Sequence, residues 1–163
     1  MRKINFLAIL VLASSVTCVS CKKDKPIPEP EKPTVVGKIY VGTATLTMDQ
    51  SPTSLENIET EIIETNYPDT VQLILKGIQF TPAMPKIDIT IPSVFAERAT
   101  DINTPNAYIL SGNNIIPTAM GGIPAPDPFK PINDLQGVVT ETSLSVSMTV
   151  GTLTLSYDGT IKE

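Results

Sequence analysis

The chain has 163 residues, 12 Lys and Arg against 17 Asp and Glu for a formal charge of −5, no histidine, no tryptophan and two cysteines. That acidity repels phosphate polyanions and argues against a nucleic-acid partner. The lack of histidine excludes Ser-His-Asp triads and His-built zinc sites, and with both cysteines at positions 18 and 21 no thiol remains for chemistry downstream.

Arg2 and Lys3 precede an apolar run over residues 4–12, broken only by Asn5, and then Ala13, Ser14 and Ser15. A charged start, a short apolar centre and a small-residue exit make a secretory signal peptide. The run is about half of the roughly 20 apolar residues a membrane span needs, and no later stretch is long enough. Where this signal ends, at Val19-Ser20 before Cys21, it resembles the lipobox of bacterial lipoproteins, whose cysteine receives a diacylglycerol before cleavage. Small Ser20 suits the peptidase better than branched Thr17 before Cys18, although Cys18 stands where leucine is usual. The resemblance implies lipidation at Cys21, the membrane as a partner through that anchor, and a cell-envelope lipoprotein of the outer membrane, periplasmic or surface-exposed. Residues 1–20 are then the signal peptide, and the mature chain keeps 10 basic residues against 17 acidic ones, a formal charge of −7.

Residues 21–34 follow as the lipidated cysteine and a tether. Pro26, Pro28, Pro30 and Pro33 alternate with lysine and glutamate, a spacing for polyproline II that reaches roughly 40 Å at about 3.1 Å per residue. Residues 35–163 are long enough for one domain with a real core.

Within that domain the apolar period is two. Residues 36–48 place Tyr40, Gly42, Ala44, Leu46 and Met48 on one face. Strands are predicted next over 57–64, 70–79 and 86–92, with Leu73, Leu75, Ile87, Ile89 and Ile91 facing inward and turn signals at SPTS, NYPD and TPAMP between them. Further strands are predicted over 106 to about 118 and 136–140. Leu144, Val146, Met148 and Val150 then alternate with serine and threonine, and after Gly151 the pattern resumes at Leu153, Leu155, Tyr157 and Ile161. Eight strands and no helix predict an all-β domain, an eight-stranded antiparallel barrel or, as the alternative, a β-sandwich. The stretches KIYVGTATLTM, KGIQF and DLQGVVTETSLSVSMTVGTLTLSYDGTIKE resemble the calycin-like (lipocalin-like) β-barrel family of Bacteroidetes lipoproteins. That resemblance implies the barrel and names no ligand.

Catalysis would have to rest on carboxylates. Glu59 and Glu61 lie two apart on one strand and point the same way, but a glycosidase needs one of the pair raised in pKa beside an ionised partner, and a solvated outer face is the simpler reading. The DINTPN stretch has Asp101, Asn103 and Asn106 at partial calcium-loop spacing, with Pro105 at a ligand position and no closing glutamate, so it reads as a turn. Asp69-Thr70-Val71 resembles the Asp-Thr/Ser-aliphatic acceptor for O-glycosylation in these bacteria, which makes Thr70 a candidate; an ordinary turn into a strand fits as well.

Residues 113–134 break the period with prolines and two adjacent glycines among Ile115, Ile116, Met120, Ile123 and Phe129. Such a loop reads as a flap over the barrel mouth. The expectation is a non-enzymatic protein without metal or cofactor. It binds a small apolar or amphipathic ligand inside the barrel, with Tyr40, Met48, Met120, Ile123, Phe129, Met148 and Tyr157 as the candidate lining. The alternative is a solid barrel serving as a protein-interaction or structural module.

Overall fold

The computed structural model describes residues 33–100, 106–119, 123–124 (backbone alone) and 130–163. Alternation of apolar and polar side chains gives ten strands: β1 Ile39–Met48, β2 Ser51–Glu64, β3 Thr70–Ile78, β4 Ile87–Arg98, β5 Tyr108–Gly112, β6 Thr118–Ala119, β7 Ile123–Pro124, β8 Ile132–Val139, β9 Ser143–Val150 and β10 Leu153–Ile161. Among the described residues there is no helix. Every pairing is antiparallel. The order β3-β2-β1-β10-β9-β8-β5-β4 returns to its start through β3–β4 pairing, so eight strands close into a barrel with no free edge, which distinguishes it from a sandwich.

Strand lengths differ from the sequence reading at bulges. Six residues earlier than predicted, β2 begins at Ser51, because its register against β1 shifts between Gly42 and Ala44 and Asn57 there takes φ 58°. The extra residue breaks the inward alternation that marks a strand in the sequence. Pro92 does not end β4 either: the β3–β4 register shifts between Val71 and Leu73, with Ser93 at φ 58°, and pairing resumes to Arg98. A second shift, between Leu75 and Ile78, puts Gly77 at φ 73°, and its N–H donates to Asp88 Oδ1 at 2.9 Å. Bulges bend strands and increase their twist, which closure of a small barrel requires.

The strand predicted over 106 to about 118 divides. Tyr108–Gly112 pairs with β8, and Ile115 and Ile132 continue that ladder with reciprocal hydrogen bonds of 3.0 and 2.7 Å. The short β6–β7 hairpin then grows from the β5–β8 connection and pairs β4 at Ile89 and Thr90, beyond the stretch Phe95–Arg98 that β5 occupies.

Apolar side chains from all eight barrel strands meet in one core. The largest fully buried ones are Tyr40 and Tyr157. Room for the Tyr157 ring comes from Gly159, which pairs with Gly42 across β1 and β10 where the two backbones approach closely. A β-carbon on Gly159 would fall 2.3 Å from the Tyr157 hydroxyl, and one on Gly42 1.9 Å from the Asp158 carbonyl oxygen. Both phenols are satisfied, Tyr40 donating to the Thr140 carbonyl at 2.7 Å and Tyr157 to that of Ile58 at 3.2 Å. One end of the barrel is closed by the entering chain. Pro33 and Val35 are buried, and the Gly37 N–H donates to the Ile62 carbonyl at 2.8 Å. Outward faces carry serine, threonine and charge, with Glu61 paired to Lys76 at 2.9 Å and Glu59 to Lys162. This polar exterior over an apolar interior is the reverse of a membrane-spanning barrel.

Candidate functional site

At the end opposite the entering chain, three connections converge. Met48 is the last residue of β1, where Asp49 and Gln50 both take positive φ (48° and 66°) in a two-residue hairpin of type I′. Across the mouth, Gly151 (φ 65°) and Thr152 turn β9 into β10 between paired Val150 and Leu153. The β3–β4 connection supplies Phe80 and Met84. Its shape is pinned by Gln79, whose side-chain amide donates to the Met84 carbonyl at 2.7 Å, and by Met84 N–H on the Thr81 carbonyl at 3.0 Å.

Between these connections lies a cleft of about 270 Å³, walled by Met48, Phe80, Met84, Val150 and Leu153 and rimmed by Thr81, Lys130, Gly151 and Thr152. It is slightly below the usual range for ligand pockets, roughly 300 to 1,000 Å³, and has their apolar character. Lys130 lies along Gly151: a β-carbon there would stand 3.1 Å from its Cδ and 3.8 Å from its Cβ. Among the described residues Lys130 makes no ion pair, and no carboxylate lines the cleft.

The candidate ligand residues separate. Met48 lines the cleft, and at 45% exposed it is the one inward residue of β1 that reaches the mouth. Tyr40, Met148 and Tyr157 lie buried in the packed centre below. Met120 and Phe129 fall outside the described residues, as do Cys21 and residues 101–105, while Ile123 is described for its β7 backbone alone. Phe80, Met84, Val150, Leu153 and Lys130 were not among the predicted lining. The TPAMP turn signal drew attention to a loop there, but nothing in a turn signal says that its apolar residues face a mouth.

The remaining candidates have structural partners. Glu59 is held below the usual carboxylate range, chiefly by its hydrogen bond from Lys162, the opposite of what a glycosidase acid requires. Thr70 begins β3, half-buried, with its hydroxyl against that of Thr65 inside the β2–β3 turn. Asn106 (φ 66°) accepts a hydrogen bond from Arg98 at 3.2 Å. Burial, with Glu141 and Tyr157 adding to it, pushes the Tyr40 phenol up to about 12, and burial likewise raises Tyr157. No cluster of three or more carboxylates or other metal-ligating groups occurs among the described residues, nor is any helix there long and apolar enough to cross a membrane. No protein-family model, curated protein or solved structure matches the chain.

Proposed function

We propose that this chain is a cell-envelope lipoprotein, anchored through acylated Cys21, whose calycin-like barrel binds a small apolar or amphipathic molecule without catalysis. The observation that carries the reading is the apolar cleft at one mouth of an otherwise filled barrel. With Tyr40 and Tyr157 occupying the centre, the ligand position shifts from the interior, where the sequence placed it, to the mouth. The described chain enters at the opposite end, where Pro33 and Val35 are packed.

A neutral apolar dye, N-phenyl-1-naphthylamine, tests this by fluorescence titration. Saturable uptake is expected in the parent. It should weaken about tenfold or more in Met48→Glu, which sets a charge against the apolar wall at a position exposed enough to leave folding intact. Uptake that is unchanged in this variant places the dye elsewhere and refutes the site. Absence of saturable uptake favours the second reading, a solid interaction module. That reading has its own observation: Phe95, Ile109 and Val138 are exposed on adjacent strands β4, β5 and β8, an apolar patch of the kind that meets a protein partner.

A further inference from the structure

We propose that the mouth cleft selects amphiphiles with an anionic head and a short unbranched chain, the head resting on the Lys130 ammonium. This rests on the binding role given above and adds the chemistry of its ligand. Three observations carry it.

The first is charge. The mature chain has a formal charge of −7, yet the charged residue on the rim of this apolar cleft is a cation with no ion pair among the described residues. An anionic head placed there gains a charge-assisted hydrogen bond, and no carboxylate among the described lining residues opposes it. The second is positioning. Gly151 leaves room for the methylene stem of Lys130 to lie against the β9–β10 turn, so the stem extends the apolar wall while its ammonium stays at the water edge. Thr81 and Thr152 line the same cleft. The third is capacity. At about 30 Å³ for a water-sized group, 270 Å³ holds about nine such groups, which matches a chain of about eight carbons inside the cleft. Met48 and Met84, unbranched and polarizable, let the wall adapt to a flexible chain.

The head chemistry could be offered by a free carboxylate or sulfate amphiphile or by an anionic lipid. The experiment is isothermal titration calorimetry on the full chain carrying Cys21→Ser, so that no acyl group of its own competes, with octanoate, octyl sulfate and 1-octanol as probes. Octanoate and octyl sulfate should bind about fivefold more tightly than octanol, an advantage that salt reduces. Lys130→Gln should remove that advantage and leave octanol unchanged. From hexanoate to octanoate, affinity should rise about fourfold per methylene and level off beyond about nine carbons. Sedimentation with phosphatidylglycerol and phosphatidylcholine vesicles separates the sources: retention on phosphatidylglycerol alone, lost in Lys130→Gln, identifies a lipid head, and no retention identifies a free amphiphile. Equal affinity for octanoate and octanol in the parent, or equal weakening of both by Lys130→Gln, overturns the head-group assignment while the apolar site stands. If Met48→Glu weakens neither probe, the cleft itself is not the site and the binding role at this mouth falls with it.

Discussion

Thr60 stands on the inward face of β2, opposite Tyr40 on β1 and Leu75 on β3, and is fully buried. Its hydroxyl oxygen makes no hydrogen bond of normal geometry, and the buried Tyr157 phenol beside it already donates to the Ile58 carbonyl. A hydroxyl taken out of water without compensation costs about 1 to 3 kcal/mol. Valine keeps the branched shape and one of the two groups on the β-carbon, replaces the hydroxyl by a methyl, and opens no cavity among the surrounding apolar side chains. Thr60→Val should therefore stabilise the barrel by about 1 kcal/mol or somewhat more. In equilibrium urea unfolding the midpoint should rise with an unchanged slope, and the melting temperature should rise by about 3 to 6 °C. Thr60→Ala removes the same hydroxyl together with a methyl group and should gain nothing. If Thr60→Val loses 1 kcal/mol or more, the hydroxyl has a partner, and the picture of a dry, apolar barrel centre is wrong.

Leu155 is buried in the core and its neighbour Thr154 is exposed, so Leu155→Ala should cost about 2 to 5 kcal/mol in the same assay and Thr154→Ala well under 1; comparable losses would mean that β10 faces the other way. The Tyr40 phenol, raised to about 12 against about 10 in the unfolded chain, stays protonated in the fold at a pH where the unfolded chain ionises. Its contribution is thus complete below pH 10 and lost as pH climbs towards 12, with a slope approaching about 1.4 kcal/mol per pH unit. Tyr40→Phe should flatten that alkaline loss, and an unaltered profile would contradict the assignment. For the anchor, Cys21→Ser should abolish incorporation of labelled fatty acid while Cys18→Ser keeps it, and equal labelling of the two variants would exclude Cys21 as the acylated residue.

The barrel was legible wherever inward and outward residues alternate without interruption. The last hairpin, β9 and β10, sits where its serine and threonine spacing predicted, because a two-residue turn at Gly151 and Thr152 leaves the β9–β10 ladder regular. Legibility failed at the bulges. At Asn57 and Ser93 one extra residue shifts the phase of the alternation, so β2 began too late and β4 stopped at Pro92 in the sequence reading. Composition alone could not separate a filled barrel from a hollow one. Tyr40 and Tyr157 suit either, and the difference lies in how the rings pack, as where the Tyr157 hydroxyl lies over Gly159 and leaves no space for a β-carbon. The cleft was the least legible feature, since its walls come from three connections far apart in the chain, and apolar residues such as Phe80 and Met84 carry no period inside a loop.

The central claim is that the ligand sits at the mouth above a packed centre. The most direct measurement is an NMR titration with octanoate on protein carrying labelled methionine methyl groups and labelled tyrosine rings. The methyl signals of Met48 and Met84 should shift saturably with one common dissociation constant, while the rings of Tyr40 and Tyr157 keep their positions. Tyrosine signals that move together with those methyls would put the ligand inside the barrel, and a spectrum in which neither set moves would mean that the cleft binds no such molecule.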